Sequence, residues 1–170
     1  MHGLVQAAYI DSITNLPNKQ YMEQKIKGLL SKAIQNSTEL SLGLLIVDVR
    51  NLAAFNEYGG FQLGNTLLKI VAKSLSETVE QETGSFVSRW YGSAFIVLIN
   101  TNKVSILLNW ADKLKYALAH SKVPNWDDIP IEARIYGTIL KNGETLEKIT
   151  VRLEKQLSIC KETSDKINIF

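Results

Sequence analysis

The chain reads as an α+β protein with one sheet covered by helices, and three observations predict it. Residues 42–47, Leu-Gly-Leu-Leu-Ile-Val, are apolar without alternation, the pattern of a strand buried on both faces. Residues 86–90 and 95–99 are short β-rich runs on either side of Tyr91-Gly92-Ser93-Ala94, which makes a hairpin. Helical periodicities separate these pieces, so the order is helix, strand, helices, hairpin, helix, strand, helix, strand.

Pro17 blocks helical continuation backwards and the Asn18 side chain offers an acceptor to free backbone N–H groups, so a helix runs over 19–35. The buried strand ends at Asp48. A short helical patch follows over 51–58, then Gly59-Gly60, then a second helix over 65–78 opened by Gly64 and Asn65. In that second helix Leu67, Leu68, Val71, Ala72 and Leu75 fall on one face. Beyond the hairpin, Leu107, Leu108, Ala111, Leu114 and Leu118 mark an amphipathic helix, and a loop over 124–130 carries Trp126 and two aspartates. Residues 131–140 read as a strand, Asn142-Gly143 as a turn, 146–162 as a helix and 167–170 as a last strand.

With 170 residues and 45% hydrophobic content, the chain can bury one sizeable core and is too short for two comfortable domains, so 1–170 is read as a single domain. A formal net charge of +2, with 21% charged residues and no block of like charges, gives no field that argues for nucleic acid or an anionic membrane. The only cysteine, Cys160, falls in a helical pattern and has no internal disulfide partner, which fits a reducing compartment. No run approaches the roughly 18 apolar residues a bilayer span needs, and the N-terminus lacks a basic region followed by an apolar stretch. The expectation is a cytoplasmic domain that makes no membrane contact of its own, while a larger parent protein is free to be membrane-anchored.

A carboxylate at the end of a buried strand either holds a divalent cation, since magnesium prefers hard oxygen ligands, or caps the helix that follows. Asp48 admits both readings. Trp90 and Tyr91 either stack on a base or pack as core and cross-strand aromatics. Ser93 and Ala94 read as turn and strand packing, and Lys161 as a solvated lysine favoured by a helix C-terminus. His2 and His120 have no second ligand nearby in sequence, and no Gly-rich phosphate loop, Cys/His cluster or nucleophile elbow is present.

Three segments together resemble a GGDEF domain, the diguanylate cyclase module of bacterial signalling proteins. They are Asp11-Ser12-Ile13-Thr14-Asn15-Leu16-Pro17-Asn18-Lys19, the spacing of residues 48–65, and Tyr91-Gly92-Ser93-Ala94-Phe95 on the five signature letters. The likeness spans residues 11–170 and implies a mainly antiparallel five-stranded central sheet flanked by helices, similar to nucleotidyl cyclases and polymerase palms. By the same likeness, Asp48 falls on a metal ligand and Val49 on the residue lending a backbone carbonyl. Asn56 and Asn65 fall on a guanine-recognising Asn and Asp, and Lys161 on a phosphate-holding Lys. The chain also departs from the pattern: Arg50, Ala53 and Phe61 replace the family's usual second Asp, Lys and His, Asp165 stands at a phosphate-holding Arg, and the inhibitory-site motif that would fall on Glu82 to Ser85 is missing.

In the family, the third signature position supplies a carboxylate to the metals and the fourth an acid near the reacting centre. Here they are Ser93 and Ala94. Two-metal phosphoryl transfer needs anionic ligands to hold the cations and offset a triphosphate's charge, which a hydroxyl and a methyl do not supply. The resemblance therefore implies a catalytically inactive regulatory or interaction module in cyclic di-GMP signalling, with no catalytic residue and with vestigial metal and nucleotide positions. Its alternatives are a sensor that binds GTP or cyclic di-GMP through Asn56, Asn65 and Lys161, and an active cyclase condensing two GTP with Asp48 holding magnesium. No cofactor is expected, magnesium entering only if nucleotide binding persists. Expected partners are other domains of the same polypeptide or a signalling partner protein, with GTP or cyclic di-GMP as ligands, a homodimer admitted and no nucleic acid. The chain starts close to its first motif and stops after its last apolar strand, as a domain excised from a larger multidomain protein does.

Overall fold

The apolar run without alternation is the middle of the sheet. The computed structural model, which describes residues 8–126, 128–159 and 168–169, places this run in strand β1, Gly43–Val49, with all seven residues buried. Leu44 and Ile46 face one core and Leu45 and Val47 the other, which is why no polar residue interrupts them. Strands β3 (Ala94–Ile99) and β4 (Ala133–Ile139) flank β1 antiparallel, with Asp48 opposite Ala94 on one side and Arg134 on the other. Strand β2 (Phe86–Tyr91) pairs antiparallel with β3, and the short β5 (Asn168–Ile169) runs parallel to β4. The order β2-β3-β1-β4-β5 bears out the expected five-stranded, mainly antiparallel sheet.

Helices α1 (Lys19–Gln35) and α4 (Leu146–Ile159) cover one face of the sheet; α2 (Leu52–Val79) and α3 (Val104–His120) cover the other. Asn18 starts α1 as expected, its Oδ1 accepting from the Tyr21 N–H at 3.0 Å. Met22, Ile26 and Leu30, one turn apart, are that helix's buried stripe. Burying each such side chain stabilises the fold by roughly 1.5–3 kcal/mol. Helix α3 approaches the sheet closely because Gly137 has no side chain: a Cβ there would lie 2.4 Å from Ile169 Cδ1 and 3.0 Å from Leu107 Cδ2.

The structure bears out two helical segments over 51–78 that meet at Gly59-Gly60 and corrects where the second begins. The two make up α2, kinked at Gly60 (φ 68°, ψ −175°), and the second resumes directly after the kink, so Gly64 and Asn65 lie inside it instead of opening it. Gly60 takes a left-handed φ at little cost, which lets the chain bend and resume its helix at once. Gly64 serves packing: a Cβ there would fall 1.7 Å from Asn56 Oδ1. Leu108 turns to solvent, leaving Leu107, Ala111, Leu114 and Leu118 as the buried face of α3. Tyr91 and Ala94 belong to strands, so the hairpin turn shrinks to Gly92-Ser93. Cys160, Lys161 and the expected helix and strand positions over 160–167 and at 170 lie outside the described residues.

Candidate functional site

The signature segment is a tight hairpin whose shape follows from two residues. Gly92 takes a positive φ of 54°, as a two-residue hairpin turn demands. The β2–β3 register slips between Arg89 and Tyr91, a bulge that places Trp90 in the core at 4% exposure and leaves Tyr91 half exposed. The aromatic pair thus divides, Trp90 packing as core and Tyr91 facing the surface.

Ser93 is more than turn packing. Its hydroxyl donates to Asp48 Oδ1 at 2.6 Å, and its carbonyl accepts from the Val49 N–H at 2.9 Å. Asp48 is 9% exposed and its carboxylate is engaged by this turn, so it does not cap α2; Asn51 precedes that helix and makes no side-chain cap bond. Ala94, the second position where the family carries an acid, is buried in the α1–α4 core with Trp90 and Ile96. Arg89, which sequence reasoning passed over, ties the hairpin to the first motif. Its Nη1 lies 3.3 Å from Asp11 Oδ2, its Nη2 donates to the Gly92 carbonyl, and its backbone N–H donates to the Pro17 carbonyl at 2.9 Å. Asp11 Oδ2 also accepts from the Thr14 N–H and hydroxyl, at 2.9 and 2.7 Å, which shapes the turn of that motif. An arginine among the mostly apolar residues of a strand was the available signal for this role.

A cavity of about 200 Å³ opens beside the turn, lined by Asp48, Tyr91, Ser93, Glu154 and Ser158 among others. Lys19 Nζ lies 2.9 Å from Glu154 Oε1 and over the rings of Trp90 and Tyr91, at 4.9 and 5.7 Å from their centroids. Burial, and then Glu154, push the Tyr91 hydroxyl above its usual range; Lys19 opposes them and Asp48 adds to the rise. Of the two carboxylates on this cavity, one accepts from a hydroxyl and the other pairs with an ammonium. No group of three His, Cys, Asp or Glu side chains able to hold a metal ion occurs among the described residues. Asp48 with a Val49 carbonyl and the Ser93 hydroxyl is a donor set short of the anionic charge that a magnesium–triphosphate site requires, so these residues do not fit the family's cations.

The two asparagines that fall on the family's guanine-recognising positions lie on α2 and do not line this cavity. Asn56 precedes the Gly60 break and packs its amide against Gly64, the residue before Asn65; both asparagines are half-buried. Phe61, at the family's His position, is 81% exposed. Arg50, where the family has a second Asp, points to Glu132 at 3.8 Å. Tyr58 and Phe55 each lie 5.5 Å from Trp126, measured between ring centroids, so Trp126 packs on the first half of α2.

An antiparallel sheet with a kinked helix after β1, and a signature hairpin set against the carboxylate that ends β1, defines a nucleotidyl cyclase-like domain. The chain belongs to the family described as diguanylate cyclase, GGDEF domain, whose pattern it matches over residues 8–166. It is 27% identical over 142 residues to the bifunctional diguanylate cyclase/cyclic di-GMP phosphodiesterase MucR of Pseudomonas aeruginosa, covering 83% of this chain and 20% of MucR. The chain thus spans a minor part of that relative. Its fold is similar to the coiled coil and GGDEF domain of DgcB from Caulobacter crescentus in complex with c-di-GMP, with a TM-score of 0.84 at 18% identity over 99% of this chain and 89% of that one. It is similar also to the diguanylate cyclase SiaD of Pseudomonas aeruginosa in complex with its activator SiaC, with a TM-score of 0.82 at 17% identity over 99% and 64%. Among the described residues no helix is long and apolar enough to cross a membrane.

Proposed function

We propose that this diguanylate cyclase-like domain of cyclic di-GMP signalling is a catalytically inactive regulatory or interaction module. The observation that carries this reading is the 2.6 Å bond from the Ser93 hydroxyl to Asp48, at the place where a cyclase needs a second carboxylate. With Ala94 buried at the next position, the turn offers neither metal ligand nor reacting acid. Asp48 and Val49 are then vestigial metal positions, and no cofactor is required. The domain acts in the cytoplasm beside other domains of its polypeptide or on a signalling partner protein, without membrane contact of its own. The placement beside other domains or on a partner is supported by MucR, which is bifunctional and much longer than this chain, and by the structurally similar SiaD, which is in complex with its activator. The test is incubation of the purified domain with GTP and magnesium. No cyclic di-GMP is expected, and product that scales with protein concentration would sink the reading.

A second reading, a non-catalytic sensor of GTP or cyclic di-GMP, is favoured by one observation. Asn56 lies against Gly64, the residue before Asn65, and both asparagines stay partly exposed, which supports a remnant of base recognition on α2. Lys161 would then meet the phosphates, and magnesium would enter only with the nucleotide. Calorimetry with each nucleotide decides between the two readings.

A further inference from the structure

The residues at the signature turn do not fit a divalent cation, and the geometry points to a different use of the same place: we propose that the Ser93 hydroxyl stands in the cation's stead, locking the turn onto β1 without metal. A carboxylate buried as deeply as Asp48 is costly unless something compensates its charge. In a metal site the cation does so. Here the compensation comes from a hydroxyl at 2.6 Å, within the short range of charge-assisted O–H···O⁻ bonds.

The lock has more than one tie. Ser93 meets consecutive residues of β1, through its side chain to Asp48 and through its carbonyl to Val49. Gly92, its neighbour in the turn, gives its carbonyl to Arg89, which is itself anchored on Asp11. None of these bonds needs an ion. A carboxylate at position 93 would instead set two anions against each other, a repulsion that a cation between them would relieve. One side chain therefore separates a turn held by a proton donor from a turn that must be held by metal.

The inference rests on the reading of residue 93 proposed above, yet the two fail separately, because turnover tests one and melting the other. The measurement is thermal denaturation of the protein and its variants with and without millimolar magnesium chloride. The wild-type Tm is expected to be the same in both. Ser93→Ala, which strands the buried carboxylate, lowers it by roughly 3–8 °C, and Ser93→Thr, which keeps the hydroxyl, retains most of it. Ser93→Asp melts lower without magnesium and recovers with it; failure of this variant to fold until magnesium is added is the same result in stronger form. A wild-type Tm that rises with magnesium, a Ser93→Ala that melts like the wild type, or a Ser93→Asp indifferent to magnesium would each overturn the proposal. Cyclic di-GMP made by the wild type would end the inactive-module reading whatever the melts show.

Discussion

Arg89 Nη1 lies 3.3 Å from Asp11 Oδ2, joining residues 78 apart in sequence and fastening the first motif to the signature hairpin. The Arg89 side chain is 9% exposed and that of Asp11 20%, so water does little to screen the pair. Asp11→Ala leaves a buried guanidinium short of its counter-charge, for an expected loss of about 3 kcal/mol. The double variant Asp11→Ala with Arg89→Met should lose less than the sum of the single losses, since removing both partners leaves no stranded charge. Urea denaturation of the four proteins measures this, and strictly additive losses would show the pair to be uncoupled.

Restoring acids at the signature is expected to recover little catalysis. Ser93→Asp with Ala94→Glu rebuilds two positions, while Arg50, Ala53, Asn65 and Asp165 still depart from the family pattern. Groups that stabilise a transition state as a unit are far from additive, so two of them return only a small share of the rate. Steady-state assay of cyclic di-GMP formation checks this; robust turnover would show that the rest of the site had stayed competent.

Guanine nucleotide binding should be weak and nearly independent of magnesium. Asn56 and Asn65 can meet a base through neutral hydrogen bonds, each contributing about 0.5–1.5 kcal/mol net. Such a site lies nearer millimolar than micromolar, roughly 4 instead of 8 kcal/mol of binding. Titration of GTP with and without magnesium, alongside Asn56→Ala, gives the answer. A micromolar, magnesium-dependent affinity abolished by Asp48→Ala contradicts the expectation.

Acid should loosen the start of α4. Arg152 meets both oxygens of Glu144, at 2.5 and 3.3 Å, and the Lys141 N–H donates to the same carboxylate at 2.8 Å. Burial works against ionisation of Glu144, but these hydrogen bonds and the charges of Arg152 and Lys141 outweigh it and hold the carboxyl below its ordinary range. A carboxylate depressed in the folded state lends stability that is present above its unfolded value of about 4.3 and is lost as pH falls through the folded value. Glu144→Gln should therefore be less stable than the wild type at about pH 6, by roughly 1 kcal/mol for this part-buried pair, and the gap should narrow as pH falls below the unfolded value. Denaturation midpoints across that range test the sign; a gap that widens towards acid reverses it.

The order of elements and the two-faced burial of β1 were legible in the chain because they depend on local periodicity and on capping. Asn18, the glycines at 59–60 and the stripe Leu67, Leu68, Val71, Ala72, Leu75 carry that information within a few residues of themselves. So did the likeness to GGDEF domains and the loss of acids at residues 93 and 94. Tertiary structure decided the rest, since it depends on what distant residues meet. Whether Gly64 opened a helix or made room in one was settled by Asn56 across the Gly60 break, and whether Trp90 and Tyr91 packed or faced water was settled by a one-residue slip against β3. Ser93, an unremarkable turn residue in the sequence, became the partner of a buried carboxylate because the register of β1 and β3 sets Asp48 opposite Ala94, and a hydrogen bond between residues 45 apart has no signature in local pattern.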